Sequence, residues 1–148
     1  MKYLSTLISA ILISATSLWA QTPNAGFESW TNHTTYNTPD SWDNANPTTS
    51  ITGVFTCVKA TGANVHSGTA ALELITQTYL GNTAPGIATT GTINTVTQAV
   101  TGGIAYTGTP DSITGYYKYT SVSGDQGFVM FTLFGSSSTD TVAQAYFT

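Results

Sequence analysis

From residue 21 onward, no window of the chain keeps the 3.6-residue apolar spacing of a helix. Short runs rich in Thr, Val, Ile, Tyr and Phe recur instead, broken every few residues by Gly, Pro or Asn. A run of that length cannot present a helical stripe to a core, but it suits an extended segment whose side chains alternate between two faces. The punctuation predicts strands over residues 26–30, 41–43, 51–60, 70–79, 87–95, 95–106, 112–120, 128–134 and 141–147. Many short strands joined by turns imply an all-β fold, and specifically a jelly-roll β-sandwich of two antiparallel sheets.

Alternation assigns faces. Leu72 and Leu74 share one face of their strand and predict core, while Glu73 and Ile75 take the other. In the Ser112 segment, Ile113, Gly115, Tyr117 and Tyr119 fall on one face, read as core, and Tyr116 with Lys118 on the other. Phe128-Val129-Met130-Phe131-Thr132-Leu133-Phe134 is apolar on both faces, so it is either covered twice or carries a binding surface. Ser123-Gly124-Asp125-Gln126-Gly127 has the residues of a tight turn, and predicts antiparallel pairing of 112–120 with 128–134. Residues 81–103 are the least patterned, and fit either two twisted edge strands or a long surface excursion.

Residues 1–20 read as a secretory leader: Lys2 opens it, Leu4 to Leu18 form its apolar run, and Ala20 precedes Gln21. Cleavage after Ala20 or after Ser17 fits. The run is too short and too interrupted by Ser and Thr for a membrane span. The expected location is therefore secreted, extracellular or on an outer-membrane surface. The remaining 128 residues (148 minus 20) suffice for one domain, 21–148. They carry Lys59, Lys118 and no arginine against seven acids, so their net charge is 2 minus 7, or −5. Phosphate recognition needs clustered cations to replace counterions, which argues against nucleic acid and anionic membranes. Cys57 stands alone after Lys2 and the leader, within Val54-Phe55-Thr56-Cys57-Val58, and reads as a small buried strand residue.

Several segments are familiar in order. Asn24-Ala25-Gly26-Phe27-Glu28-Ser29-Trp30 and Pro39-Asp40-Ser41-Trp42 resemble the N-terminal signature of many bacterial jelly rolls, and Val65-His66-Ser67-Gly68-Thr69-Ala70-Ala71-Leu72-Glu73-Leu74 resembles a segment of galactose-binding-like sandwiches and carbohydrate-binding modules. Ala84-Pro85-Gly86-Ile87-Ala88-Thr89-Thr90-Gly91 and Pro110-Asp111-Ser112-Ile113-Thr114-Gly115-Tyr116-Tyr117-Lys118-Tyr119 resemble the carbohydrate metabolism domain of secreted Bacteroidetes proteins. The resemblance implies a jelly roll with a link to glycans, as a non-catalytic carbohydrate-binding or spacer domain. It also implies a final Asp-Asp-Val-like strand and further domains of the same polypeptide. The chain stops at Tyr146-Phe147-Thr148, so a C-terminally truncated domain is expected. A structural calcium held between the first strand, the His-Ser-Gly turn and the last strand is implied too, with Glu28 and the carbonyls around Ser67 and Gly68 as its oxygens.

Glycan recognition stacks a sugar on a flat aromatic face and satisfies its hydroxyls with polar groups. The candidates are Trp30, Tyr36, Trp42, Tyr116 and Lys118. Trp30 is expected on the face of Glu28, either exposed at the sandwich edge or packed under a loop, with Phe27 turned to the core. Catalysis finds little support. Asp40, Asp111 and Asp125 sit in turn contexts, where Asp bonds its own backbone. His33 and His66 lack metal spacing, and no serine has a nucleophile-elbow context. Asn32-His33-Thr34 fits an N-glycosylation sequon, and Asp111-Ser112-Ile113 and Asp140-Thr141-Val142 resemble O-glycosylated triplets.

Overall fold

A computed structural model of the chain describes residues 22–137 and 140–148. The leader read at residues 1–20 lies outside the described residues. The chain is all-β, with a single short helix among the described residues. Its elements are β1 Trp30–Asn32, β2 Asn37–Pro39, β3 Asp43–Asn44, α1 Asn46–Thr49, β4 Cys57–Ala60, β5 Ala71–Leu74, β6 Gln77–Tyr79, β7 Asn82–Ala84, β8 Ala88–Thr89, β9 Thr92–Asn94, β10 Ala99–Thr101, β11 Val129–Phe134 and β12 Thr141–Phe147. They join as six two-stranded antiparallel sheets: β1–β2, β3–β8, β4–β5, β6–β7, β9–β10 and β11–β12.

Local chemistry explains several of these pairs. Leu80 and Gly81 join β6 to β7 with φ of 49° and 79°, and Tyr79 pairs with Asn82. Two consecutive left-handed residues make the primed turn whose twist matches a hairpin. Glycine takes that conformation freely, and leucine does so at a cost. In the β9–β10 loop, Asn94 Oδ1 accepts the backbone N–H groups of Val96 and Thr97, both at 3.0 Å, and so closes the turn.

The core is small and polar. Every buried residue among those described lies between Pro39 and Ala70. At its centre, Asn46 opens α1 ahead of Pro47 and is 1% exposed. Its Oδ1 accepts the N–H groups of Thr56 and Cys57, at 2.9 and 3.2 Å. Its Nδ2 donates to the Cys57 carbonyl at 2.6 Å and to the Asn37 carbonyl at 3.4 Å. One amide thus behaves like a peptide group inserted beside β4 and ties it to β2. Asn44 Oδ1 holds the Asn46 N–H at 3.0 Å. Cys57, Ala60 and Ala70 complete the buried apolar set, as read for Cys57 from the sequence. Burial pushes the Cys57 thiol up to about 12. The Thr56 hydroxyl oxygen is buried without a partner among the described residues.

Several sequence readings are corrected. Residues 26–30 are not a strand: Asn24 to Gly26 turn, Phe27 adopts φ 54°, and pairing begins only at Trp30. Phe27 is therefore half-buried rather than in the core. Residues 51–60 reduce to β4, because Ser50–Thr52 form a 3₁₀ turn after α1. The 70–79 and 87–95 strands each break in two, 41–43 contracts to Asp43–Asn44, and 95–106 contracts to β10. Leu74 is 44% exposed, so the Leu72–Leu74 face is not core. Residues 112–120 form no strand, and their Ile113, Tyr117 and Tyr119 are exposed. The predicted turn does exist, with Ser123 and Gly124 left-handed and the Asp125 N–H on the Val122 carbonyl at 3.1 Å. Its flanks nevertheless do not pair. β11 takes β12 as its partner, from Val129 opposite Phe147 to Phe134 opposite Thr141, with a bulge between Leu133 and Phe134. Pairing choice is non-local, and turn chemistry alone does not decide it.

Candidate functional site

The segment Asn24 to Trp30 is a knot. Asn24 Nδ2 donates to the carbonyls of Ser29 and Asp40, at 2.9 and 3.1 Å, and its Oδ1 accepts the Ser29 N–H at 3.0 Å. The Trp30 indole N–H folds back onto the Phe27 carbonyl at 2.5 Å. The Phe27 ring lies 4.9 Å from that of Trp42, tilted by 51°. The Trp42 indole N–H donates to the Pro23 carbonyl at 3.0 Å. The knot thus fixes Trp42 beside the β1–β2 hairpin.

In that hairpin Thr31 pairs with Thr38, so the two side chains share a face. The Thr31 hydroxyl donates to Asp40 Oδ1 at 2.7 Å, and His33 Nε2 and the Thr38 hydroxyl share a hydrogen bond at 2.9 Å. These four side chains, with Ser41, Trp42 and Asp43, line an open cleft of about 410 Å³. Asp43 spends both oxygens on structure, accepting the N–H groups of Asn44 at 2.9 Å and Ile93 at 2.7 Å. Asp40 Oδ2 carries no hydrogen bond among the described residues. The cleft therefore offers an indole wall, hydroxyls, an imidazole and a carboxylate oxygen with spare acceptor capacity.

The sequence-predicted residues divide into two groups. Trp42 lines the cleft. Trp30 starts β1 and bonds within the knot, and it is not among the residues lining the cleft. Tyr36 stacks on His33, with ring centroids 4.8 Å apart, and faces a second cavity of about 190 Å³ with Asn37, Asn46, Phe55 and Cys57. Tyr116 and Lys118 sit elsewhere. Tyr116 stacks on His66 with centroids 3.4 Å apart, and Lys118 Nζ donates to Asn64 Oδ1 at 3.0 Å. Tyr117 meets the edge of Phe147 instead. The side-to-side alternation read at 116–118 is thus present without a strand ladder. Thr31, His33, Thr38 and Asp40 were missed as site residues. The available signal was their spacing: alternate positions on either side of a short loop fall on one hairpin face.

Glu28 reaches the His-Ser-Gly turn, as the resemblance implies, but meets donors there. Thr69 gives it a backbone N–H, at 3.2 and 3.0 Å to its two oxygens, and a hydroxyl at 2.7 Å. These bonds hold its carboxyl below the usual 4.5. Gly68 is left-handed at φ 79°, and a Cβ there would strike Glu28 Oε1. A calcium ion needs about six to eight oxygens turned toward it, whereas the groups that meet this carboxylate are the N–H and hydroxyl donors of Thr69. Among the described residues, no group of three or more His, Cys, Asp or Glu side chains could hold a metal ion. No described helix is long and apolar enough to cross a membrane. Asp125 is likewise held below its ordinary value, first by the Val122 N–H and then by the Tyr119 hydroxyl. Downward displacement suits a structural acceptor and works against a general acid. No protein-family model, no curated protein and no solved structure matches the chain.

Proposed function

We propose that this is a non-catalytic, glycan-binding β-sandwich domain of a secreted or cell-surface protein, exported through the leader at residues 1–20 and built on a jelly-roll plan. The observation that carries the reading is the β1–β2 cleft. It combines the Trp42 wall with Thr31, His33, Thr38 and Asp40, the pairing of flat apolar surface and directed polar atoms that a sugar ring requires. Scarce charge elsewhere supports a polar, uncharged-to-cationic partner. Calorimetric titration of the folded chain against a polysaccharide panel tests it. Binding that Trp42→Ala weakens by about tenfold or more is expected, since removing an anchoring aromatic typically costs above 1 kcal/mol. Silence across the panel overturns it.

A second reading, a spacer or interaction module of a larger surface protein, is favoured by the exposed Val129, Met130, Phe134 and Tyr146 on β11 and β12. Protection of those residues from hydrogen exchange in a longer polypeptide, with no glycan bound, would select this reading over the first.

A further inference from the structure

The chain's charge bears on what the cleft can accept. Beyond Lys2 its cations are Lys59 and Lys118, with no arginine anywhere. Lys118 is engaged with Asn64, and Lys59 borders the other cavity. The cleft itself is lined by two carboxylates and no Lys or Arg. A uronate or sulfated sugar placed there would meet like charge with no Lys or Arg to offset it. A neutral sugar would leave a carboxylate's charge unused. A protonated amine would be attracted by both Asp40 and Asp43, and would find an acceptor at Asp40 Oδ2. The Thr31 hydroxyl donates to Oδ1 of the same carboxylate and leaves Oδ2 available as an acceptor. Asp43 contributes charge alone, because both of its oxygens are taken by backbone N–H groups.

Resting on the glycan reading, we infer that the cleft selects sugars bearing free amino groups, with Asp40 Oδ2 receiving the ammonium and Trp42 walling the ring. Asp40 is then the specificity-determining residue. The site distinguishes an amino sugar from its N-acetylated form, which has the same ring and no positive charge.

Four probes decide it by calorimetry on the full chain: a β-1,4-linked glucosamine oligomer, the same oligomer N-acetylated, a uronic-acid oligomer, and spermine as a charge without a sugar ring. The glucosamine oligomer is expected to bind about tenfold more tightly than its acetylated form, the scale of one charge-assisted hydrogen bond, and to weaken as salt is raised. Asp40→Asn is expected to erase that preference with the melting temperature unchanged. The wild-type comparison and its salt dependence decide the matter alone if the variant unfolds. Equal or tighter binding of the acetylated oligomer overturns the inference and leaves the glycan reading standing. Spermine binding as tightly as the amino sugar also overturns it. Silence toward all the sugars and the wider panel removes the glycan reading and the inference with it.

Discussion

Residues 22–94 and residues 95–148 have similar hydroxyl-rich, charge-poor sequences but opposite kinds of order. The first region ties its elements together through polar side chains: the buried Asn46 bridges β2 and β4, Asn24 joins Ser29 to Asp40, and Asp43 reaches Ile93. The second region exposes apolar groups: Tyr116 is 80%, Val122 69% and Met130 57% exposed. What order the second region has comes chiefly from the β11–β12 ladder, from the Ser123–Gly124 turn and from ring contacts such as Tyr117 on Phe147. The difference teaches that in a chain with few charges, side-chain amides and carboxylates near short loops can knit local order where hydrophobic burial is thin. In the β11–β12 hairpin the side-chain amide cross-links are those of Gln144, to Thr132 Oγ1 at 3.2 Å and to Met130 Sδ at 3.5 Å, and two strands by themselves are marginal.

The sharpest way to break this comparison is thiol reactivity. Burial pushes the Cys57 thiol up to about 12, so its reactive thiolate is depleted at neutral pH. Native Cys57 should react with a thiol reagent at least about tenfold more slowly than in urea, while a cysteine introduced by Val122→Cys should react at the free rate. The raised value also sets a sign: the folded state binds the thiol proton more tightly, so this contribution to stability is complete below pH 9 and is lost as pH climbs toward 12.

Next in size, Asn46→Ala leaves two backbone N–H groups and a carbonyl buried without partners. It should cost about 2–4 kcal/mol in urea unfolding. Met130→Ser, on the exposed hairpin, should cost no more than about 0.5 kcal/mol. Comparable losses at both positions would mean that the two regions share one core. Leu80→Asn should stabilise the β6–β7 hairpin by about 1 kcal/mol, because Asn accepts the left-handed conformation that Leu80 is forced to hold. The smallest effect is at Glu28. Its folded carboxyl lies below 4.5, so the Thr69 clasp contributes above that value and fades as pH falls through the folded one. Glu28→Gln should remove this acid dependence, read as hydrogen exchange at Thr69.

Much of this architecture was legible where the cause is local. The turn at Ser123–Gly124, the burial of Cys57 and the opposed directions of Tyr116 and Tyr117 all follow from short-range chemistry, and all are present. The strand expected at 26–30 failed because Asn24 and Phe27 take positive φ, held by a bond network that reaches to Asp40. The cleft was half visible: Trp42 was named, while Thr31, His33 and Asp40 become neighbours only once β1 and β2 pair.

By itself, the sequence determined the all-β class, the turn at Ser123–Gly124 and the anionic balance, since each depends on residue type and on neighbours a few positions away. Tertiary structure alone decided that β11 pairs with β12, that Asn46 rather than a leucine sits at the centre, and that Asp40, at the cleft, keeps one carboxylate oxygen without a hydrogen bond among the described residues. Those outcomes depend on which distant backbone groups find partners, and many pairings compete at nearly equal energy when strands are short and side chains are alike.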